Sequence, residues 1–425
     1  MTALNEMTAD ALKALHARLE QDYASLKARG LKLDMTRGKP APEQLDLSNG
    51  VMTMPGNRDY FTASGEDARN YGGLQGLPEL RALFSQVLDA PPAQIVVGNN
   101  SSLAIMHDCL AYAMLFGVPG GTGAWSKEKD IAFLCPVPGY DRHFGLAEGF
   151  GFRLIPVPLT GAGPDMDVVE KLVADPAVKG TWCVPKYSNP SGETYSAETV
   201  ARLAGMKTGA ADFRIMWDNA YALHHLSDAR PPLANMLEAA TEAGHGERVL
   251  VFASTSKVTL AGAGLAMLAA SPANIAWYLG HAGRRTIGPD KLNQLRHLRF
   301  LRDAAGIAKL MEGHRALIQP KFDAVAKIFR DKLGARDVAR WSEPEGGYFM
   351  TLEVPEGTAS RVVALAKAAG VALTPAGATH PYGRDPQDHI LRIAPTYPSL
   401  ADVSAAAEAV ALCTLLAACE KRLAA

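Results

Sequence analysis

From Ala93 onward, short apolar runs alternate with polar, glycine- or proline-rich loops, and several of those loops open into helical stretches. No other feature of the sequence restricts the fold as strongly. The runs span residues 94–97, 131–135, 180–184, 214–217, 249–252 and 265–269. Strands that alternate with helices imply a mainly parallel sheet of the α/β class, whose functional residues sit in the loops beyond the strand ends.

After about residue 320 the pattern changes to a helix over 321–333, a glycine-containing strand over 346–352, a helix over 359–369, a strand over 390–394 and a final alanine-rich helix. With 425 residues, 48% of them hydrophobic, the chain is long for one ordinary core. The division predicted is an N-terminal segment, 1–60, that joins a small α+β domain at 321–425, with a large domain at 61–320 between them. The first thirty residues carry Leu12, Leu15, Leu19, Tyr23 and Leu26 at amphipathic helical spacing and lack the apolar block of a signal peptide.

A formal net charge of -1 and a pI near 6.8 give no field that would draw nucleic acid or an anionic membrane, and point to small-molecule partners. No uncharged run reaches the roughly 20 apolar residues of a membrane span. The five cysteines, Cys109, Cys135, Cys183, Cys413 and Cys419, form no CxxC pair and read as reduced core thiols of a cytoplasmic protein. The histidines show no ligand spacing, so no metal site is expected. His224-His225 reads as a surface or packing pair.

Complete nucleotide fingerprints are missing: there is no GxxxxGK[ST], and Gly262-Ala263-Gly264 lacks the third glycine of GxGxxG. What remains is a series of polar residues at predicted strand ends. Gly98-Asn99-Asn100-Ser101-Ser102 opens a helix and could hold a phosphate at its amino end, or simply cap it. Tyr140 follows a strand in a proline-glycine loop, placed either to stack on a flat ring or to pack. Asn189-Pro190-Ser191-Gly192 is a turn by composition. Asp218 ends a run three residues before Tyr221, where a carboxylate also commonly caps a helix. Ser254-Thr255-Ser256-Lys257 precedes thirteen uncharged residues, 258–270, and burial there would lower the lysine's pKa and free its amine as a nucleophile. Arg392, inside an apolar strand, needs either a protein carboxylate or a ligand's.

Taken in order, these parts resemble the fold-type I enzymes that use pyridoxal phosphate, and among them the class I aminotransferases. Tyr71, Gly76, Leu80 and Arg81 add that class's Tyr-x-x-x-x-Gly-x-x-x-Leu-Arg segment, so the similarity runs from about Gly38 to Arg392. PKYSNPSGETYS, from Pro185 to Ser196, together with STSKVTLAGAG, from Ser254 to Gly264, is similar to the aspartate aminotransferase-like subgroup Ic. One position departs from the class: the phosphate-binding arginine usual eight residues after the lysine is Leu265 here.

The resemblance implies a large α/β/α domain, a smaller α+β domain formed by both chain ends, and a homodimer with shared active sites. It implies pyridoxal 5'-phosphate in Schiff-base linkage to Lys257, which then moves the proton between the substrate Cα and the cofactor. Asp218 would face the pyridine nitrogen, Asn189 and Tyr221 the phenolic oxygen, and Tyr140 the ring. Asn100, Ser101, Ser102 and Ser254 would hold the phosphate, joined by Tyr71 of a second subunit. Arg392 would grip the substrate α-carboxylate, with Gly38 letting the backbone close over it. Arg37, Lys39, Arg284 and Arg285 are the candidates for a distal carboxylate. The reaction implied is transfer of the amino group of L-aspartate to 2-oxoglutarate through a pyridoxamine phosphate form. Rivals are another amino acid, a lyase or decarboxylase on the same scaffold, and a non-catalytic regulator domain. The last is disfavoured because only about 30 residues of helix precede the Gly38 segment, leaving no room for a winged helix.

Overall fold

The computed structural model describes residues 3–424. Its centre is a seven-stranded sheet: β1 (Ile95–Val97), β2 (Ala132–Val137), β3 (Arg153–Pro158), β4 (Val178–Cys183), β5 (Arg214–Asp218), β6 (Val249–Ser254) and β7 (Ala266–Ala270). They lie in the order β1-β7-β6-β5-β4-β2-β3, with parallel pairing throughout except for β7, which is antiparallel to both its neighbours. Alternate residues of the strands feed two apolar layers. Ile215, Trp217, Val249 and Val251 join one, and Met216, Leu250 and Phe252 the other. Burial on both faces explains why these strands read as continuous apolar runs.

The alternating pattern missed β3, whose sequence RLIPVP holds Pro156 and Pro158. Proline cannot donate to the ladder, and β3 tolerates two because it is an edge strand paired only with β2. The segment from Thr255 to Leu265 turns the chain straight back from β6 into β7 with no crossover helix, which is why β7 is reversed.

A second core gathers both chain ends. The helix Ala9–Ala28 buries Leu12, Leu19 and Leu26, one heptad apart, and packs on the long final helix Leu400–Ala424. That final helix is long and apolar enough to cross a membrane, but more than half of its most apolar 18-residue stretch is buried inside the protein, where it serves as a core helix. Strand Leu33–Asp34 pairs with Val371–Ala372, and Ile390–Ile393 and Arg340–Trp341 flank Met350–Glu353 in a small antiparallel sheet. The predicted strand over 346–352 is shorter than expected. At Gly346 an added Cβ would lie 2.2 Å from the Tyr187 ring, so this glycine serves a close approach of chains and not a ladder.

The helix expected at 321–333 is the end of a much longer one, Ala304–Lys332, with Pro320 inside it. Its first turns, at Ile307, Leu310 and Met311, belong to the large core, whereas Ile318, Phe322 and Val325 belong to the core of the chain ends. One uninterrupted element therefore serves both cores across residues 320 and 321.

Candidate active site

The carboxyl ends of β1, β2, β4, β5 and β6 converge on a cavity of about 280 Å³ lined by Asn100, Ser101, Ser102, Tyr140, Asn189, Asp218, Tyr221, Ser254 and Lys257. Nine of the positions singled out in the sequence thus meet in one place, although they are spread over more than 150 residues. Ser256 and Ala261, which were not singled out, line it too.

Lys257 follows β6 and is held by its backbone. The Thr255 N–H donates to the Leu265 carbonyl at 2.8 Å, and the Leu265 N–H donates to Thr255 Oγ1 at 2.8 Å. A Cβ on Gly264 would come 2.8 Å from that hydroxyl, so the tight return needs glycine. Leu265 itself is fully buried in the large core. Burial pushes the Lys257 ammonium below the ordinary lysine pKa, and the carboxylate of Asp218 opposes that shift. The amine lies 5.1 Å from the centre of the Tyr221 ring and 5.8 Å from that of Tyr348.

Behind the lysine, neutral histidines hold its peptide. His224 Nε2 donates to the Lys257 carbonyl at 3.2 Å, and His314 Nε2 donates to that of Val258 at 2.9 Å. The Gln44 side-chain nitrogen lies 3.0 Å from His314 Nδ1 and 2.8 Å from the Tyr348 hydroxyl, while its oxygen accepts from the Ala41 N–H at 3.0 Å. An amide nitrogen only donates, so His314 Nδ1 accepts and the ring proton is on Nε2. Burial lowers the pKa of both histidines, that of His224 to about 3. The sequence read His224-His225 as a surface or packing pair, and the pair packs on the lysine's own backbone and on Tyr187, whose hydroxyl is 2.7 Å from His225 Nδ1.

Asp218 ends β5 fully buried. One oxygen lies 3.0 Å from His143 Nε2, and the other is buried with no partner. The His143 ring stacks on Trp182 at 4.5 Å. Pattern reading missed His143, because nothing near it in sequence indicates a partner 75 residues away. The Asn189 side-chain oxygen is likewise buried without a partner. Burial pushes the Tyr140 hydroxyl up to about 12 and that of Tyr221 well above its ordinary range, so both stay protonated donors.

At the amino end of helix Ser102–Phe116, Ser101 has φ 99° and its hydroxyl caps the Ala104 N–H at 3.3 Å. The Asn100 side chain is used within the protein, donating to the Ala261 carbonyl at 3.2 Å and accepting from Ser256 Oγ at 3.4 Å. It ties the helix start to the lysine loop.

Four predicted positions do not line the cavity. Arg392 is buried in its strand, with Nη1 donating to Asp141 Oδ1 at 2.8 Å and its guanidinium 5.1 Å from the Phe349 ring centre. Gly38 is pressed on that same ring, where a Cβ would meet Phe349 Cζ at 2.1 Å. Arg37 is exposed beside it, and Tyr71 is 76% exposed. Of the other cations considered, Arg285 pairs with Asp108 at 2.7 Å, Arg284 lies 3.1 Å from His281, and Lys39 lies 3.9 Å over the Tyr397 ring.

The sequence profile of the family described as Aspartate amino-transferase matches residues 7–425. The chain belongs to this aminotransferase family. It is 46% identical over 418 residues to an aspartate aminotransferase of Corynebacterium glutamicum, covering 98% of this chain and 97% of that one. The crystal structure of an aspartate transaminase from the same organism matches with a TM-score of 0.97 at 45% identity over 99% of both chains. An α-aminoadipate aminotransferase of Thermus thermophilus, complexed with N-(5'-phosphopyridoxyl)-L-leucine, shares the fold at 22% identity with a TM-score of 0.73, over 94% of this chain and 95% of that one. Like its family, the protein is a fold-type I α/β aminotransferase that acts on amino and oxo acids.

Proposed function

We propose that this aminotransferase uses pyridoxal phosphate in the cavity around Lys257 to move the amino group of L-aspartate to 2-oxoglutarate. The observation that carries the cofactor reading is the buried, unpartnered oxygen on Asp218, in the same cavity as an amine of lowered pKa. A buried acceptor left alone costs about 1–3 kcal/mol, and a protonated pyridine nitrogen is the donor that a carboxylate in this setting calls for. Bound there, the cofactor would supply an electron sink that lets the Cα–H bond of an amino acid break.

The protein's own residues divide the remaining tasks. Lys257 would hold the cofactor and carry the proton at Nζ, with burial favouring its neutral amine. Asp218, oriented by His143, would keep the pyridine nitrogen protonated. Asn189 and Tyr221 would bind the phenolic oxygen and Tyr140 the ring face. Ser101, Ser102 and Ser254, with the backbone at Asn100, would receive the phosphate at the helix amino end. Tyr71, exposed on this chain, would reach the same group from a second copy, so the active unit is a homodimer.

Arg392 would bind the substrate α-carboxylate, with the Gly38 segment over it. Arg37, exposed beside Gly38, is the candidate for a distal carboxylate. Aspartate rests on the names borne by the relatives. The five buried free cysteines support a cytoplasmic setting.

An absorption spectrum of the purified protein tests the reading. With pyridoxal phosphate present, a visible band that fades on adding L-aspartate, with release of oxaloacetate, is expected. Restoration of the band by 2-oxoglutarate completes the cycle. A band unmoved by aspartate but moved by another amino acid removes the substrate assignment. The absence of any band in the wild type, or a band unchanged in Lys257→Ala, removes the assignment of Lys257.

A further inference from the structure

The helix Asp141–Gly149 starts directly after Tyr140, and its first turn touches two distant parts of the site. Asp141 meets Arg392, 251 residues away, and His143 meets Asp218. The state of the arginine gives the first contact its meaning. Nη1 donates to Asp141 Oδ1 at 2.8 Å, Nη2 reaches only Thr374 Oγ1 at 3.4 Å, and Nε is buried with no partner.

Nε and Nη2 form one edge of the planar guanidinium, the edge that presents two parallel N–H groups to a carboxylate. Elsewhere in this protein that edge is used in this way. Arg361 places Nε and Nη2 on Glu420 at 2.7 and 2.7 Å, Arg69 on Asp67 at 3.0 and 2.7 Å, and Arg202 on Glu170 at 2.9 and 3.1 Å. On Arg392 the edge holds no carboxylate, although the residue is only 8% exposed. The ion pair with Asp141 therefore uses the one nitrogen that a ligand bound on the Nε/Nη2 edge does not need.

We propose that Asp141 is a positioning residue. By holding Nη1 it fixes the plane of the Arg392 guanidinium and keeps the Nε/Nη2 edge turned to the α-carboxylate of the substrate. The proposal rests on the reading of Arg392 as the carboxylate clamp. Three further contacts complete the device. The Phe349 ring supports one face of the guanidinium, the Thr374 hydroxyl donates to the Thr36 carbonyl at 3.2 Å near Gly38, and Thr351 pairs with Arg392 across the sheet. The Asp141 carboxylate sits in the first turn of its helix, where the dipole favours a negative charge. Tyr140, Asp141 and His143 share that turn, so the ring face, the carboxylate clamp and the pyridine-nitrogen partner are set by one rigid element.

The test uses the holoenzyme with Asp141→Ala, Asp141→Asn and Arg392→Lys, all checked for unchanged melting temperature. Succinate, an unreactive dicarboxylate, is the probe, its dissociation constant read by calorimetry, alongside KM and kcat for L-aspartate. Asp141→Ala is expected to weaken succinate binding and raise KM on the order of tenfold, with a smaller effect on kcat, because the clamp loses its orientation. Asp141→Asn, whose carbonyl oxygen still accepts from Nη1, is expected to stay within about threefold of wild type. If Asp141→Ala binds succinate like wild type while Arg392→Lys does not, the clamp stands and Asp141 has no part in it. If Asn fails as badly as Ala, charge and not orientation is at work, and the proposal falls. Unchanged binding in Arg392→Lys would remove the clamp reading itself.

Discussion

Replacing Gln44 by leucine tests whether the network behind Lys257 holds the protein together. Gln44 and Tyr348 are fully buried and His314 is 1% exposed. The substitution strands three groups at once: the Ala41 N–H, His314 Nδ1 and the Tyr348 hydroxyl, which lie at 3.0, 3.0 and 2.8 Å from Gln44 in the native protein. At about 1–3 kcal/mol for each buried polar group left unpaired, the gross loss is about 3–9 kcal/mol. Leucine is similar in size and more apolar, which returns about 1–2 kcal/mol through burial. The net expectation is about 1–8 kcal/mol and centres on about 4–5 kcal/mol, a large part of the roughly 5–15 kcal/mol by which domains are stable.

Urea denaturation followed by circular dichroism, at a fixed protein concentration, reads the effect as a lowered midpoint. Tyr348→Phe supplies an internal ranking. It removes one partner while the Gln44 nitrogen keeps His314, so it should cost about 1 kcal/mol. A Gln44→Leu midpoint equal to that of wild type, or a larger loss in Tyr348→Phe than in Gln44→Leu, would refute the tautomer assignment and the network built on it.

Two further outcomes are expected. Gly38→Ala places a methyl group 2.1 Å from Phe349 Cζ, in the ring on which Arg392 rests, so KM for the amino acid should rise about tenfold while the melting temperature falls only modestly; an unchanged KM would separate Phe349 from the clamp. In the cofactor-free protein Lys257 should react with an amine-acylating reagent at lower pH than an ordinary lysine, and Asp218→Asn should move that profile lower still, since Asp218 is the one group that raises the pKa; a shift upward would refute the coupling. The same depressed pKa means that the unfolded chain holds the Lys257 proton to higher pH than the folded one. Its burden on stability is therefore full at low pH and is relieved as pH rises through the folded value toward 10.5.

What could be read in the sequence was local. Gly98 to Ser102, Asn189, Asp218 and Lys257 each follow an apolar run, and a parallel sheet brings the carboxyl ends of its strands together whatever the details of packing. Their meeting around one cavity therefore follows from topology alone. Strand β3 stayed hidden because the rule that excludes proline from strands has an exception at sheet edges, and whether a strand is at an edge is not written in its own residues. Pro320 hid the length of helix Ala304–Lys332 for a similar reason, since tertiary packing on two cores overrides the local cost of the missing N–H.

The residues that orient the site were the least legible, and their contacts show why. Asp141 acts on Arg392, His143 on Asp218 and Gln44 on Tyr348 across 251, 75 and 304 residues. No spacing or composition near Asp141 or Gln44 differs from that of an ordinary helix start, with an acid or a proline in the first turn. Groups that touch a ligand must lie where strands end, so topology limits their positions. A group that only orients another can approach from any element that packs nearby, and only the packed structure reveals it. Loss of orientation with the clamp itself intact is what the Asp141 variants would detect, and the stranding of three buried partners is what Gln44→Leu would measure.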